Sequence, residues 1–220
     1  MAKKKTTKSA IPSWKKKKWY ELIAPSIYSE KSLGETPATS PEGIIGRVVD
    51  VNMMNLVGNA RKQNFTLKFR VVKVQGNKGL TKPIKLSMIS SSVRRLIRSG
   101  KERVDASFVC ETKDGIKLRV KPLIVTRGKT YNSTKADLQN KAKSFISDFA
   151  KKNSSDSVFD VATRNTLQKD MKNELDKVYP VKLVEIRGVE VELVKGERML
   201  GDAVAEPKVT EEEVKEEKAE

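Results

Sequence analysis

The chain has 220 residues, of which 45 are Lys or Arg and 28 are Asp or Glu, so its net charge is +17. It contains no histidine and one cysteine, which excludes histidine acid–base catalysis, Cys/His zinc sites and an intrachain disulfide. No apolar run approaches the ~18 residues of a membrane span, and the lysine-rich start lacks a signal-peptide core. We expect no cofactor, no metal and no membrane partner, and the charge favours a polyphosphate partner.

Charge and composition divide the chain into three zones. Residues 1–18 contain eight lysines and no acid, and are predicted to be a disordered basic head. Residues 201–220 end in a glutamate-rich run and are predicted to be a disordered acidic tail, which is better interpreted as a solubilising appendage than as a specific binding site. Residues 19–200 are predicted to form a single α+β RNA-binding body, which is long enough to bury about 70% of the surface exposed by its unfolded chain.

The first half of the body is predicted to be β-structure. Five segments have strand patterns, either alternating apolar and polar residues or a cluster of β-branched residues. They are 44–53, 65–71, 80–88, 104–110 and 116–120. The apolar phase shifts at Val72, which predicts a bulge. Asp114-Gly115 supplies the residues of a tight hairpin between the last two segments. These segments predict an antiparallel, β-barrel-like sheet.

A short basic helix is predicted between those strands, over residues 91–99. Val93, Leu96 and Ile97 have the spacing of one helix face, so they should pack on the body. Serines at 90–92 are predicted to cap this helix, and Gly100 is predicted to end it.

The second half of the body is predicted to be mainly helical. Apolar stripes run from Leu138 to Phe149 and from Leu167 to Val178, with predicted capping pairs at Thr134/Asp137 and Ser157/Asp160. Pro180 should end the second stripe. Residues 181–194 are then predicted to return to β-structure with a bulge at Gly188. The fold class is therefore α+β, with helices and a returning β segment after the sheet.

No motif supports an enzyme. Gly128-Lys129-Thr130 resembles the end of a phosphate-binding loop, but Leu123 stands where the first glycine is required. Asp105 and Glu111 lie on an alternating strand, which is typical of a solvated face. Cys110 falls in the apolar phase of its strand and is interpreted as a core residue. We therefore predict that the protein is not an enzyme.

The candidate RNA-binding residues are cations in several groups. Lys68 and Arg70 project from one face of their strand, and Lys117, Arg119 and Lys121 from one face of theirs. Either row could follow phosphates or be a solvated face. The short helix carries no acid to neutralise its arginines, which favours phosphate contact there. The remaining candidates lie in the helix, a polar loop and the basic head: Arg94, Arg95, Arg98, Arg127, Lys129, Lys15, Lys16, Lys17, Lys18 and Trp19. Aromatic residues are only 5%, which favours recognition of shape and backbone over reading of bases.

Several separated motifs resemble one protein family. In chain order they are Lys17-Lys18-Trp19-Tyr20, Ala24-Pro25, Leu33-Gly34-Glu35-Thr36-Pro37-Ala38, Gly46-Arg47-Val48, Val74-Gln75-Gly76-Asn77, Asp114-Gly115 and Tyr179-Pro180. Over about residues 15–195 they resemble the archaeal and eukaryotic small-subunit ribosomal protein family S3Ae, also called eS1. The chain is similar to the short, archaeal type of member.

The resemblance implies a structural, non-catalytic protein of the cytoplasmic ribosome. It would sit on the small-subunit platform near the messenger-RNA exit and contact small-subunit rRNA and neighbouring ribosomal proteins, with no homo-oligomer expected. Arg47, which lies in one of the shared motifs, joins the candidate RNA-binding residues. The alternative is a free-standing RNA-binding or ribosome-assembly factor, and an enzyme acting on RNA is a more distant third.

Overall fold

The computed structural model describes residues 17–192, and strands account for much of this part of the chain. The strands are β1 Lys18–Ile23, β2 Ser32–Ala38, β3 Val48–Asn52, β4 Phe65–Gln75, β5 Lys78–Met88, β6 Arg103–Asp105, β7 Phe108–Glu111, β8 Lys117–Thr126 and β9 Val181–Val191. The α-helices are α1 Met53–Val57, α2 Ser90–Leu96, α3 Asn132–Lys152, α4 Ser155–Arg164 and α5 Thr166–Asp176. Short 3-10 turns occupy Ser26–Tyr28, Glu42–Ile44 and Ala60–Lys62. The predicted disordered head and acidic tail lie outside the described residues, except that β1 already begins at Lys18.

All of these strands belong to one sheet. Its main order is β2-β1-β5-β9-β8-β6, while β4 also pairs with β5, β3 with β4 and β7 with β8. The α+β class is confirmed, with strands first, then helices and a returning strand. The sheet is not closed into a barrel within the described residues, and β1 pairs with β5 in parallel whereas the other pairs are antiparallel. Helices α3 to α5 pack on one face of the open sheet, which buries that face without closure.

Local alternation predicted the central strands correctly. In β4, Leu67 and Phe69 are completely buried, and the pairing with β5 shifts between Val71 and Lys73, as the predicted bulge at Val72 requires. The Asp114-Gly115 turn joins β7 to β8, and Gly115 has φ +73, which suits glycine. The irregularity predicted near Gly188 is confirmed by a register shift in the β8–β9 pair beside it.

Several predicted boundaries were wrong because side chains cap or interrupt elements locally. Segment 44–53 contains only the short strand β3, since Asn52 accepts a hydrogen bond from the Met54 N–H and starts α1. Segment 104–110 is divided into β6 and β7.

Helix ends also differ from the predictions. Helix α2 ends at Leu96, before Gly100, and no serine side chain caps it. Helix α3 begins at Asn132 without a side-chain cap, and α4 is capped by Ser154. The two predicted helical stripes become three helices, because Asn165 adopts φ +64 between α4 and α5.

The core lies between the sheet and helices α3 to α5. Leu138, Ala142 and Ile146, the predicted stripe of α3, are fully buried in the same cluster as Leu118 and Val120 of β8. We call the opposite side of the sheet the open face. Part of it is covered by α2, whose Val93 packs with Leu123 and Val125 of β8, with Leu96 and Ile97 beside them. The predicted apolar face of this helix is therefore confirmed.

Candidate nucleic-acid interface

A row of charged residues crosses the open face. Lys68 of β4 pairs in register with Lys85 of β5, Lys85 with Glu190 of β9, and Glu190 with Arg119 of β8. Their chain neighbours Leu67, Leu86, Val189 and Val120 are buried in the core, so the row points away from α3 to α5. Strand pairing therefore brings the two strand rows predicted from sequence onto one face.

The acidic residues of the open face neutralise much of this row. Glu190 accepts from Lys85 Nζ at 3.1 Å and from Lys121 Nζ at 3.3 Å. Although burial acts to raise the pKa of Glu190, the hydrogen bonds and charges of these two lysines lower it below its ordinary value. The carboxylate therefore stays ionised and holds both lysines.

The predicted strand cations also have acidic partners. Lys68 Nζ lies 2.8 Å from Asp50, Lys117 Nζ lies 3.7 Å from Glu111, and Arg119 donates to Glu192. These pairs are partly exposed, so each contributes little to stability, but each lowers the charge that the cation offers to a phosphate. Arg70 differs, since its Nε is enclosed without a hydrogen-bond partner among the described residues.

Three arginines lie in or just after α2, and we call them the α2 arginines. Arg94 and Arg95 belong to the helix, whereas Arg98 follows its end at Leu96 although the predicted helix included it. Arg94 and Arg98 are exposed, and neither forms an ion pair or a side-chain hydrogen bond within residues 17–192. Arg95 donates to the Asn64 side-chain oxygen at 3.1 Å, which is a neutral partner. Arg119, Lys121, Leu123 and Val125 alternate along β8 and therefore lie on the same side of the sheet. Because α2 packs on Leu123 and Val125, its arginines lie beside the row and extend it. They are its least neutralised part.

The loop between β8 and α3 carries a second exposed group. Arg127 and Lys129 are exposed, and the Lys129 carbonyl accepts a hydrogen bond from the Tyr179 hydroxyl at 3.3 Å. Tyr131, at the N-cap of α3, is 85% exposed. Sequence reasoning missed this aromatic, although its position outside the apolar stripe of α3 was visible. An exposed ring beside cations is suited to stacking on a base.

Arg47 holds the backbone together locally. Its guanidinium donates to the Gly43 carbonyl at 2.9 Å, to Thr36 Oγ1 at 2.6 Å and to the Pro37 carbonyl at 3.0 Å. These bonds tie the end of β2 to the 3-10 turn Glu42–Ile44. The arrangement gives Arg47 a structural role and leaves only part of its guanidinium for a ligand.

The basic head enters the described structure only at its end. Lys18 and Trp19 are exposed at the start of β1, and Trp19, which pairs with Pro37 of β2, is 55% exposed. Lys17 is exposed as well. Lys15 and Lys16 lie outside the described residues.

Residues suspected of chemistry have ordinary structural roles. The Cys110 thiol is buried and donates to the Leu118 carbonyl at 3.4 Å, and burial raises its pKa to about 11. Asp105 pairs with Arg103, and Glu111 pairs with Lys117. Within residues 17–192, no cluster of three or more acidic or cysteine side chains could hold a metal ion. In the same range, no helix is both long and apolar enough to cross a membrane.

The structure also forms a polar cavity that sequence reasoning did not find. It has a volume of about 440 Å³ and lies among the 3-10 turn Ala60–Lys62, α2, the α4–α5 junction and β9. Four cations line it: Arg61, Lys62, Arg164 and Lys169. They come from distant parts of the chain, so no local sequence pattern could reveal them.

Comparisons with known proteins agree on one family. The family description "Ribosomal S3Ae family" matches residues 4–194. The chain is 32% identical to "Small ribosomal subunit protein eS1" of Methanothermobacter thermautotrophicus, over 79% of this chain and 89% of that protein. It is 33% identical to the protein of the same name from Methanobrevibacter smithii, over 84% and 96% of the two chains. The corresponding protein of Nanoarchaeum equitans is 30% identical, over 79% and 88%.

Proposed function

Because the chain belongs to the ribosomal S3Ae family, we propose that it is a structural constituent of the small ribosomal subunit that binds rRNA through its phosphate backbone. The proposed position is the subunit platform near the messenger-RNA exit, beside neighbouring ribosomal proteins of the cytoplasmic ribosome. The role proposed is non-catalytic and needs no self-association. The charge of +17 and the cationic open face support a polyanionic partner.

The observation that carries the proposal is the contrast between α2 and the strands. A cation without an acidic neighbour can neutralise a phosphate and release a condensed counterion, which drives binding. A cation already paired with a carboxylate must lose or share that pair first. Among residues 17–192, Arg94 and Arg98 are exposed and have no acidic partner, whereas Lys68, Lys117 and Arg119 each have one. We therefore assign the main phosphate contacts to α2 and secondary contacts to the strand rows.

The other candidate groups extend this surface. Residues 19–200 are proposed to act as one RNA-binding body, with Arg127, Lys129 and the exposed Tyr131 ring contacting RNA from the β8–α3 loop. The lysines of the head, residues 1–18, are proposed to add phosphate contacts because of their charge. The acidic tail, residues 201–220, should be repelled by RNA.

The test compares two triple variants that each remove three positive charges. R94Q/R95Q/R98Q removes the α2 arginines, and K68Q/K117Q/R119Q removes three paired strand cations. Binding of each folded variant to a small-subunit rRNA fragment is measured from 50 to 200 mM salt. The slope of log affinity against log salt should fall by about one for each phosphate that the variant no longer neutralises, and more for the α2 variant. An α2 variant with wild-type affinity and slope would contradict the proposal.

Incorporation into small subunits provides the second measurement. Wild-type protein should sediment with the subunit in high salt at one copy per subunit, and the α2 variant should be depleted. Substoichiometric, salt-labile association of the wild-type protein would instead identify a free-standing assembly factor.

A further inference from the structure

The cavity beside the Ala60–Lys62 turn has the size of a small-ligand site. Its volume of about 440 Å³ falls within the roughly 300–1,000 Å³ of typical ligand pockets. The turn forms one wall, the start of α5 another, and α2 a third. It lies next to the α2 arginines, since Asn64, which lines it, accepts the hydrogen bond from Arg95. A ligand bound there would therefore adjoin the proposed RNA surface.

The cations of the cavity favour an anion. Arg61 and Lys169 are exposed and form no ion pair within the described residues. Arg164 pairs with Asp160 at 2.8 Å, and Lys62 Nζ donates to the Thr163 carbonyl at 2.7 Å. Within residues 17–192, Lys62 therefore has a neutral partner, and Arg61 and Lys169 have no ion pair, so a phosphate group could pair with both of these exposed cations.

The carboxylate of Glu185 in the same cavity requires a hydrogen-bond donor rather than an anion. The Glu185 carboxylate lines the same cavity, and its Oε2 is enclosed without a hydrogen bond among the described residues. A buried acceptor left unpaired is costly, so the site gains free energy when a ligand supplies an N–H donor. Burial is also the main reason why the pKa of Glu185 is raised, while attraction by Lys62 acts to lower it.

Apolar side chains complete the lining. Phe65 is buried, while Met88 and Leu96 are half-buried and also face the cavity. A flat ring can pack against such a surface. The cavity therefore combines an apolar wall, an unpartnered acceptor and unneutralised cations.

We propose that this cavity binds a guanine nucleotide turned out from an RNA strand, an inference that rests on the proposed function. The N1–H and N2–H groups of guanine are adjacent donors that a carboxylate can accept together, and the phosphate meets Arg61 and Lys169. Adenine and cytosine each present only an exocyclic amino donor on that edge. A lysine or arginine of a neighbouring protein would satisfy Glu185, but the surrounding cations repel it. A free phosphate would leave Glu185 unpaired.

The test titrates the full-length protein with guanosine 5′-monophosphate and adenosine 5′-monophosphate while following backbone amide NMR signals. Guanosine monophosphate should shift the signals of residues 61–64 and 164–169 and bind at least about tenfold more tightly than the adenosine form. E185Q should remove most of that preference, because it replaces one acceptor with a donor. K169Q should weaken both nucleotides equally. E174Q, at a half-exposed glutamate that pairs with Lys177 outside the cavity, should change neither affinity.

An RNA arm distinguishes the source of the nucleotide. E185Q should weaken binding to the rRNA fragment about tenfold, and the loss should be smaller when the fragment carries inosine, which lacks the N2 amino group. Absence of nucleotide-dependent shifts at the cavity would overturn the site. If guanosine monophosphate binds at the cavity but E185Q has the same affinity for the rRNA fragment as wild type, the guanine does not come from RNA. Neither result would affect the α2 variants or subunit incorporation, which test the proposed function separately.

Discussion

The Asp114 carboxylate of the β7–β8 hairpin accepts a hydrogen bond from the backbone N–H of Ser155, with 2.8 Å between Oδ2 and N. Ser155 is the first residue of α4, so a turn residue satisfies one of the N–H groups that a helix start leaves unpaired. Ser154 Oγ accepts from the Ser157 N–H at 3.4 Å and satisfies another. The Asp114 side chain thus joins the hairpin to the helix layer, although the sequence pattern predicts only its role in the turn.

Replacing Asp114 with alanine should therefore destabilise the fold through α4 and leave the cationic surface intact. We expect the free energy of unfolding in urea to fall by about 1–2 kcal/mol, the usual cost of losing a helix N-terminal acceptor. D137A is the matched control, because Asp137 is exposed on α3 and has no partner among the described residues. It should change stability by less than about 0.5 kcal/mol. Equal stability of D114A and D137A would show that the Asp114 bond contributes nothing.

Much of the fold could be predicted because its signals are local. The alternation around Leu67 and Phe69, the Asp114-Gly115 turn and the α3 stripe each depend on residues close in sequence. The parallel pairing of Glu21 to Ile23 with Lys78 to Leu80 has no such signature, because it joins distant segments. Whether the sheet closes depends on which edge strands pair, which also joins distant segments, so the predicted barrel-like form did not anticipate the open sheet.

The candidate site divides in the same way. Arg94 and Arg95 were predictable because Val93 and Leu96 fix the buried side of α2 and leave them outside, whereas Arg98 is exposed in the segment after the helix. The acidic partners of the strand rows lie on other strands, as with Lys68 and Asp50, and depend on register. The cavity is less predictable still, since Lys62 and Glu185 meet only after folding.

The next prediction concerns how α2 is held. Leu96 packs half-buried beside the Val93–Leu123–Val125 cluster, so L96D places an unpaired charge against apolar side chains. We expect a loss of about 2–3 kcal/mol in the free energy of unfolding. R94Q, two residues earlier on the exposed side, should leave stability within about 0.5 kcal/mol of wild type. If L96D and wild type unfold with the same midpoint urea concentration, the packing of Leu96 does not stabilise the protein.

A further prediction addresses the β1–β5 pair. A Cβ on Gly79 would lie 2.7 Å from Leu22 Cδ2 and 3.5 Å from Val71 Cγ1, so G79A overpacks the contact between the strands. We expect a loss of about 1–3 kcal/mol, measured by urea unfolding. G43A is the control, since its new Cβ would meet only Ser40 Oγ at an ordinary 3.7 Å. Unchanged stability of G79A would mean that Leu22 moves aside freely.

The last prediction uses the raised pKa of Glu185. Burial makes the folded protein hold a proton on this carboxyl at a higher pH than the unfolded chain, whose ordinary value is 4.5. Where the folded protein binds more protons than the unfolded chain, the free energy of unfolding falls as the pH rises. The ionised Glu185 therefore lowers the free energy of unfolding, and this effect is complete above the raised pKa. The effect should disappear as the pH falls from that value through 4.5.

E185Q removes the titration but keeps the shape of the side chain. The free energy of unfolding of wild type relative to E185Q should therefore increase between pH 7 and pH 4.5. The hydrogen bond from Lys177 lowers the pKa of Glu174, so wild type relative to E174Q should not show this rise and should change in the opposite direction as the pH falls. Lysine and arginine side chains around the cavity are retained in the variant, so the difference isolates the carboxyl. Urea unfolding of all three proteins at a series of pH values makes the measurement. A constant difference between wild type and E185Q would contradict the prediction, because it would mean that burial does not raise the pKa of Glu185 above its value in the unfolded chain.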